Sequence, residues 1–392
     1  MDATQAILAQ RPSDLTVAWA QRVLDRHASG ATVAGVDVLS VDVGTTTRVR
    51  LAVDHDGPPA LARRWFVKLP SLSWRARWMT ALPRLLQAEA RFYGEVARAI
   101  PVPLPPFLAA QIRRGRGATV VLADVTERGA AAGAPGDALT GAQATLVIEQ
   151  LARLHARLWN APSLDHEYNW LAGPVRRTED RLGSALAVPL MRRGLRLAGS
   201  AVPVALHGPA LGYARRRRQV MRFLADGPRT LVHHDVHPGN LFWRESGPGL
   251  LDWHLVRIGE GIGDVAYFLA TALTPETRRA HEARLLARYQ QALADHGIGA
   301  LDPATLWHRY RAHLVYPFEA MVVTLAVGGM MTLESTLELI RRTAAAVADH
   351  EAFAARPLRG ALPSRRPSRS VPGPSSGGSA AGVDAASAWP VA

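Results

Sequence analysis

Between Leu231 and Trp243 the chain reads Leu-Val-His-His-Asp-Val-His-Pro-Gly-Asn-Leu-Phe-Trp, and Leu250-Leu-Asp-Trp253 follows. As structure alone this is a His-Pro-Gly turn followed by a short strand. As chemistry it sets His233, Asp235 and Asn240 in an H-x-D-x-x-x-x-N spacing, with a second carboxylate, Asp252, a little further on. Phosphoryl transfer asks little covalent chemistry of a protein. It needs a carboxylate to receive the acceptor's hydroxyl proton and oxygen ligands that hold Mg²⁺ against the phosphates. Asp235 suits the first task, and Asn240 and Asp252 the second. His233 and His237 are expected to support the loop through hydrogen bonds. A zinc site built from His233, His234, His237 and Asp235 is disfavoured, because the spacing matches no common zinc motif and the chain has no cysteine.

Arginine has displaced lysine almost everywhere: of 46 Lys plus Arg, only Lys68 is lysine. A lone lysine marks a place where a compact ammonium on a flexible stem is needed and a planar guanidinium fork is not. Lys68 closes the apolar run Arg64-Trp-Phe-Val-Lys68, read as a buried strand stopping at Pro70. A lysine set among phosphates needs a positioning glutamate. The stretch 83–97 has Leu85, Leu86, Glu89, Phe92, Tyr93 and Val96 at helical spacing, so Glu89 shares the apolar face and is the preferred partner, while Glu95 lies off it.

Upstream, residues 36–43 and 48–53 alternate like strands around Gly44-Thr45-Thr46-Thr47, a hairpin whose turn can offer backbone N–H groups and hydroxyls to phosphates. Its single glycine does not make a G-x-G-x-x-G loop. After a strand at Thr119–Leu122, the residues around Asp124 and Val125 and the polar stretch 127–136 read as a hinge where backbone atoms meet an adenine edge.

Taken in order, the Gly44 hairpin, Lys68, Glu89, the hinge near Asp124, the helix carrying Leu151-Ala-Arg-Leu-His155, the His233–Asn240 loop, Leu251-Asp-Trp253 and Gly263-Asp-Val-Ala-Tyr-Phe-Leu269 resemble the aminoglycoside phosphotransferase superfamily of small-molecule kinases, in particular its ecdysteroid-kinase-like (CHK-kinase-like) branch. The resemblance spans about residues 30–350. It implies a bilobal α+β kinase-like fold, ATP and Mg²⁺ as cofactors, Asp235 as base, Asn240 and Asp252 as metal ligands, and Lys68 with Glu89 orienting phosphates. Asp264 is expected to brace the metal-binding loop or a helix start, and His155 to be a satisfied core histidine. His234 stands where a small residue, often glycine, is usual, and His254 where glutamine is usual.

The implied organisation is an N-terminal helical extension over 1–30, a nucleotide-binding lobe over 31–125, a lobe with the catalytic loop and acceptor site over 126–355, and a disordered Pro/Ser/Gly-rich tail over 356–392. Ser13-Asp14 reads as the cap of a helix running to about His27. The apolar run 320–333 is too short to span a bilayer and reads as a buried helix. With no signal-peptide pattern and no cysteine, a cytoplasmic enzyme is expected. The net charge of +13 falls on two segments. Residues 171–222 hold eleven arginines against Glu179 and Asp180, a net of +9, and the tail holds five arginines against Asp384, a net of +4. The first is either a solvated helical face or a wall that draws in an anionic substrate, an acidic partner or a membrane surface. Nucleic acid is not expected, since stacking aromatics are not interleaved with the arginines. A polycationic aminoglycoside needs an acidic pocket, so a neutral or anionic hydroxyl compound is the expected acceptor. An antibiotic phosphotransferase and a catalytically inactive, nucleotide- or partner-binding pseudokinase are the alternatives.

Overall fold

In the computed structural model, which describes residues 6–72, 84–113 and 117–355, the alternating segments of the first third assemble into an antiparallel sheet. Its strands are β1 (Val33–Val43), β2 (Thr46–His55), β3 (Arg64–Pro70), β4 (Phe107–Arg113) and β5 (Gly117–Ala123), in the order β1-β2-β3-β5-β4. Strand alternation sends Val49, Leu51, Val53, Val67 and Leu69 to one face. There they pack under the N-terminal helix α1 (Val17–Leu24), with Trp19 edge-on to Trp65. The opposite face carries Arg48, which is in register with Lys68.

The cap of α1 corrects the sequence expectation. Pro12–Asp14 forms its own short turn, and the helix starts only after Thr16, whose hydroxyl accepts from the N–H of Trp19. Proline at Pro12 fits a first turn, so the chain turns twice where one helix was expected. Helix α2 (Leu85–Arg91) continues into a wider turn over Phe92–Val96. It buries Leu86, Glu89, Ala90 and Phe92, and Glu95 pairs with Arg91 at the surface.

Beyond the short strand β6 (Ala131–Ala132) the chain is mainly helical. Helix α3 (Gly141–Arg157) starts where Thr140 and Gln143 close a capping box. The arginine-rich segment forms α4 (Pro174–Ala198) and α5 (His207–Leu224). Strands β7 (Thr230–Val232), β8 (Leu241–Arg244), β9 (Gly247–Leu250) and β10 (Arg257–Gly259) frame the loop between them, β7 pairing with β10 and β8 with both β6 and β9. Helix α6 (Ile262–Ala272) is buried nearly all round, as expected of a core helix. Around it lie α7 (Pro275–Asp295), α8 (Pro303–His313), α9 (Val315–Val327) and α10 (Leu333–Asp349).

The run 320–333 is therefore not one helix. Gly328 and Gly329 take φ of +79° and +75°, which end α9 and turn the chain into α10. Glycine adopts this left-handed backbone without a Cβ penalty, and hydropathy alone does not reveal it. The expected tail 356–392 lies outside the described residues.

Candidate active site

Lys68 leaves the end of β3 and places its ammonium between two carboxylates. Its Nζ donates to Glu89 Oε1 at 2.7 Å, to Glu89 Oε2 at 2.9 Å and to Asp252 Oδ1 at 2.9 Å. Burial works against the charge on Lys68, but Asp252 and Glu89 together raise its pKa above the ordinary value. A buried ammonium is tolerated only when it is paired in this way.

Asp252 takes φ of +59°, a left-handed backbone that is uncommon for a residue with a Cβ. His254 Nδ1 lies 2.6 Å from its Oδ1. Burial favours protonating Asp252, yet His254 and Lys68 hold it well below the usual carboxylate range. Asp252 in turn lifts His254 to about 9 against the effect of burial.

The loop carrying Asp235 runs between β7 and β8. Asp235 accepts from Tyr267 Oη at 2.7 Å through Oδ1 and from Asn240 Nδ2 at 3.0 Å through Oδ2. Asn240 also donates to the Asp235 carbonyl at 2.8 Å. Its amide nitrogen is thereby committed, which leaves the amide oxygen as the free acceptor. His237 accepts from the N–H of Gly239 through Nδ1, so its other ring nitrogen carries the proton, and that Nε2 lies 3.9 Å from Asp235. His233 donates through Nε2 to the carbonyl of Leu251, tying the Asp235 loop to the Asp252 loop, and burial keeps its pKa low.

Asp264, in the first turn of α6, grips the loop from behind. Its two oxygens accept from the backbone N–H groups of His233 at 2.7 Å and His234 at 2.8 Å. His155 on α3 is buried, with Nε2 at 3.2 Å from Asp264 and Nδ1 at 2.9 Å from Tyr289 Oη. His234 has φ of +72°, which gives a physical reason for glycine at this position in relatives of the kind the sequence resembles. Here the ring stacks on Tyr316 with centroids 4.1 Å apart. The backbone strain, about 1–2 kcal/mol for such a residue, is offset by that stacking and the Asp264 bond.

Two connected cavities open onto these groups. One of about 220 Å³ is lined by Phe66, Lys68, Tyr93, Leu122, Ala123 and Val125, together with Asn240 and Asp252. Asp124, on the same wall, uses its backbone N–H on the carbonyl of Arg64 and its carboxylate on Arg50 and Thr126. The second, about 630 Å³, is lined by Gly44, Thr45, Asp235, Tyr267, Tyr316 and Met321, among others. At the hairpin turn the N–H of Gly44 donates to the carbonyl of Thr46, and the carbonyl of Gly44 accepts from Ser71 Oγ. Gly133 passes so near the loop that a Cβ there would lie 2.3 Å from the carbonyl oxygen of Pro238.

Sequence reasoning missed Arg48 and Arg50, Tyr267 and Tyr316. The arginines had a signal, since β2 alternation sets both on the face of Lys68. The tyrosines sit on core helices and carry no local pattern that separates them from packing residues.

The profile of the phosphotransferase enzyme family, APH, matches residues 41–313, and the chain belongs to this family of small-molecule phosphotransferases. Its fold is α+β, with a five-stranded antiparallel sheet followed by a mostly helical remainder. No curated protein sequence matches it. Among solved structures it is similar to a wild-type aminoglycoside 2'-phosphotransferase-IIIa in complex with GDP: 14% identity, 83% of this chain and 97% of that one covered, TM-score 0.46. It is also similar to a choline kinase from Cryptosporidium parvum Iowa II, with 10% identity, coverage of 82% and 92%, and TM-score 0.49. A third is a macrolide 2'-phosphotransferase from Brachybacterium faecium, with 17% identity, coverage of 83% and 96%, and TM-score 0.39.

Proposed function

We propose that this family member is an ATP-dependent, Mg²⁺-requiring kinase that phosphorylates a hydroxyl group of a small molecule. The observation that carries the reading is the position of Lys68 Nζ, within 2.9 Å of both Glu89 and Asp252. A strand lysine, a helix glutamate and a loop aspartate from distant parts of the chain meet at one point beside the cleft, as phosphate positioning requires. Residues 31–125 then serve as the nucleotide half and 126–355 as the acceptor half. ATP occupies the smaller cavity, with its base against Ala123 and Val125 and its phosphates toward Lys68, Arg48 and the Gly44-Thr45-Thr46 turn.

Asp252 and the amide oxygen of Asn240 form a hard-oxygen donor pair facing the same cleft, which suits Mg²⁺. Bound there, the metal neutralises and aligns the phosphates. Asp235 takes the acceptor proton, and Tyr267 and Asn240 fix the orientation of its carboxylate.

The acceptor occupies the larger cavity. Tyr316, Met321, Met330 and Met331 give it apolar, adaptable walls. The carboxylates lining it are Asp42, Asp235 and Asp252, of which Asp42 is paired with Arg48 and the other two are committed to the reaction. A polycation finds no spare counter-charge, so a neutral or anionic, largely apolar hydroxyl compound fits better than an aminoglycoside.

The test is an ATP-consumption screen over a panel of hydroxyl compounds, with mass detection of phosphorylated products. Asp235→Asn is expected to lower turnover about 10²–10⁴-fold with nucleotide affinity nearly unchanged. Nucleotide binding with no product from any acceptor would favour the pseudokinase alternative, and near-normal turnover by Asp235→Asn would remove Asp235 from the reaction.

A further inference from the structure

The α4–α5 helical hairpin carries a charge that catalysis does not use. Of its eleven arginines, Arg176 and Arg217 are buried. Arg176 donates to Glu179 and to the carbonyls of His254 and Val256, while Arg217 donates to Glu319 on α9. The two acids of the segment are also turned inward: Arg257 reaches Glu179 and Asp180 at 3.1 Å each. The other nine arginines are exposed. Among the described residues none of the nine pairs with a carboxylate, although surface arginines elsewhere do, as in Arg91–Glu95, Arg229–Asp165 and Arg341–Glu338. The outer face of the hairpin is therefore uniformly positive.

That face also has an apolar end. Arg192, Arg193 and Arg196 close α4 beside Leu197, which is 51% exposed. The turn leading to α5 carries Val204 at 81%, the highest exposure of any large apolar side chain among the described residues. The helices run side by side, since a Cβ on Gly183 would lie 3.3 Å from the guanidinium of Arg217.

We propose that this hairpin docks on an anionic lipid surface. Val204 and Leu197 enter the boundary between headgroups and acyl chains, and the flanking arginines hold lipid phosphates. Arginine suits this role because its planar fork meets phosphate oxygens in pairs. Basic side chains near an anionic bilayer contribute to binding one by one, and an inserted aliphatic tip adds the hydrophobic part. A nucleic acid answers the charge but offers no apolar phase for Val204, and the hairpin presents no exposed aromatic ring for stacking bases. Docking is peripheral: among the described residues no helix is long and apolar enough to cross a membrane.

The test is co-sedimentation of the full chain with phosphatidylcholine vesicles and with phosphatidylcholine–phosphatidylglycerol vesicles. Binding is expected to the second only, and to fall as salt rises. Arg192→Gln, Arg193→Gln and Arg196→Gln combined should weaken it about 100-fold, from about 1 kcal/mol per arginine. Val204→Asp should weaken it further, and both variants should keep the wild-type melting temperature because the residues are exposed. No binding to anionic vesicles at low salt overturns the proposal, as does equal binding to neutral ones. Undiminished binding by the triple variant or by Val204→Asp overturns it too, placing the contact elsewhere on the chain. Retention by duplex DNA but not by vesicles would assign the face to nucleic acid instead.

Discussion

Trp253 lies flat on Phe92, with ring centroids 4.1 Å apart and planes 7° from parallel. The residue after Asp252 is thus packed on the wide turn that continues the Glu89 helix. The two carboxylates around Lys68 are consequently held by one aromatic contact as well as by the ammonium, and the helix carrying Glu89 is clamped to the loop carrying Asp252.

Lys68→Arg tests that clamp. The larger, planar cation has to enter a fully buried site shaped around an ammonium, at a packing cost of about 1–3 kcal/mol. It cannot reproduce three donor contacts to Glu89 and Asp252 from one nitrogen. We expect kcat/KM to fall about 10²-fold or more, the scale of losing one preorganised charge, with the protein still folded by circular dichroism. Near-full activity would mean that Lys68 is merely a survivor of the arginine bias.

Asp252→Ala should abolish turnover and remove the Mg²⁺-dependent tightening of ATP binding measured by calorimetry. ATP should then bind equally in Mg²⁺ and in EDTA. If the unmodified protein binds and turns over ATP equally well in EDTA, the metal assignment of Asn240 and Asp252 is wrong.

Tyr267→Phe deletes only the hydroxyl that donates to Asp235. A hydrogen bond to a charged group is worth about 1.5–3 kcal/mol, so kcat should drop about 10-fold or more. KM for ATP should stay level on the proposed reading, because Tyr267 lines the larger cavity and not the smaller one. A change confined to KM for ATP would show that the tyrosine serves packing between the halves instead.

Stability toward acid should depend on Glu260, which accepts from Arg309 Nε and His313 Nε2 at 2.8 Å each. Burial opposes its ionisation, yet His313 and Arg309 hold its pKa below the ordinary glutamate range. A depressed folded pKa gives stability that is complete above the unfolded value and is lost as pH falls through the folded one. Glu260→Gln should therefore melt lower at pH 7, and the gap to the unmodified protein should close below about pH 4. A gap that is constant with pH would assign the loss to packing.

Much of the site was legible because its chemistry leaves rare marks: one lysine among arginines, and an aspartate, an asparagine and a second aspartate at fixed spacing. Glu89 was separable from Glu95 by helical phase alone, and the structure buries the first and exposes the second. What escaped depends on long-range packing. Tyr267 and Tyr316 lie on apolar helices, and only the fold turns them toward the cavity. The Thr16 cap was hidden behind Ser13, and Gly328-Gly329 lay inside an apolar run where a positive φ has no hydropathy signature.

The glycine pair sets one wall of the larger cavity apart from Asp235. Met330 and Met331 follow two residues of left-handed backbone in the link between α9 and α10, whereas Asp235 is anchored through Tyr267 and the Asp264-gripped loop to the most deeply buried helix. Exchange of side chains in that link, or a change in its length, can alter which molecules enter without disturbing the groups that act on them. If the proposed function holds, new acceptors come within reach of a few substitutions at 328–332, with Asp235 and its partners left unchanged.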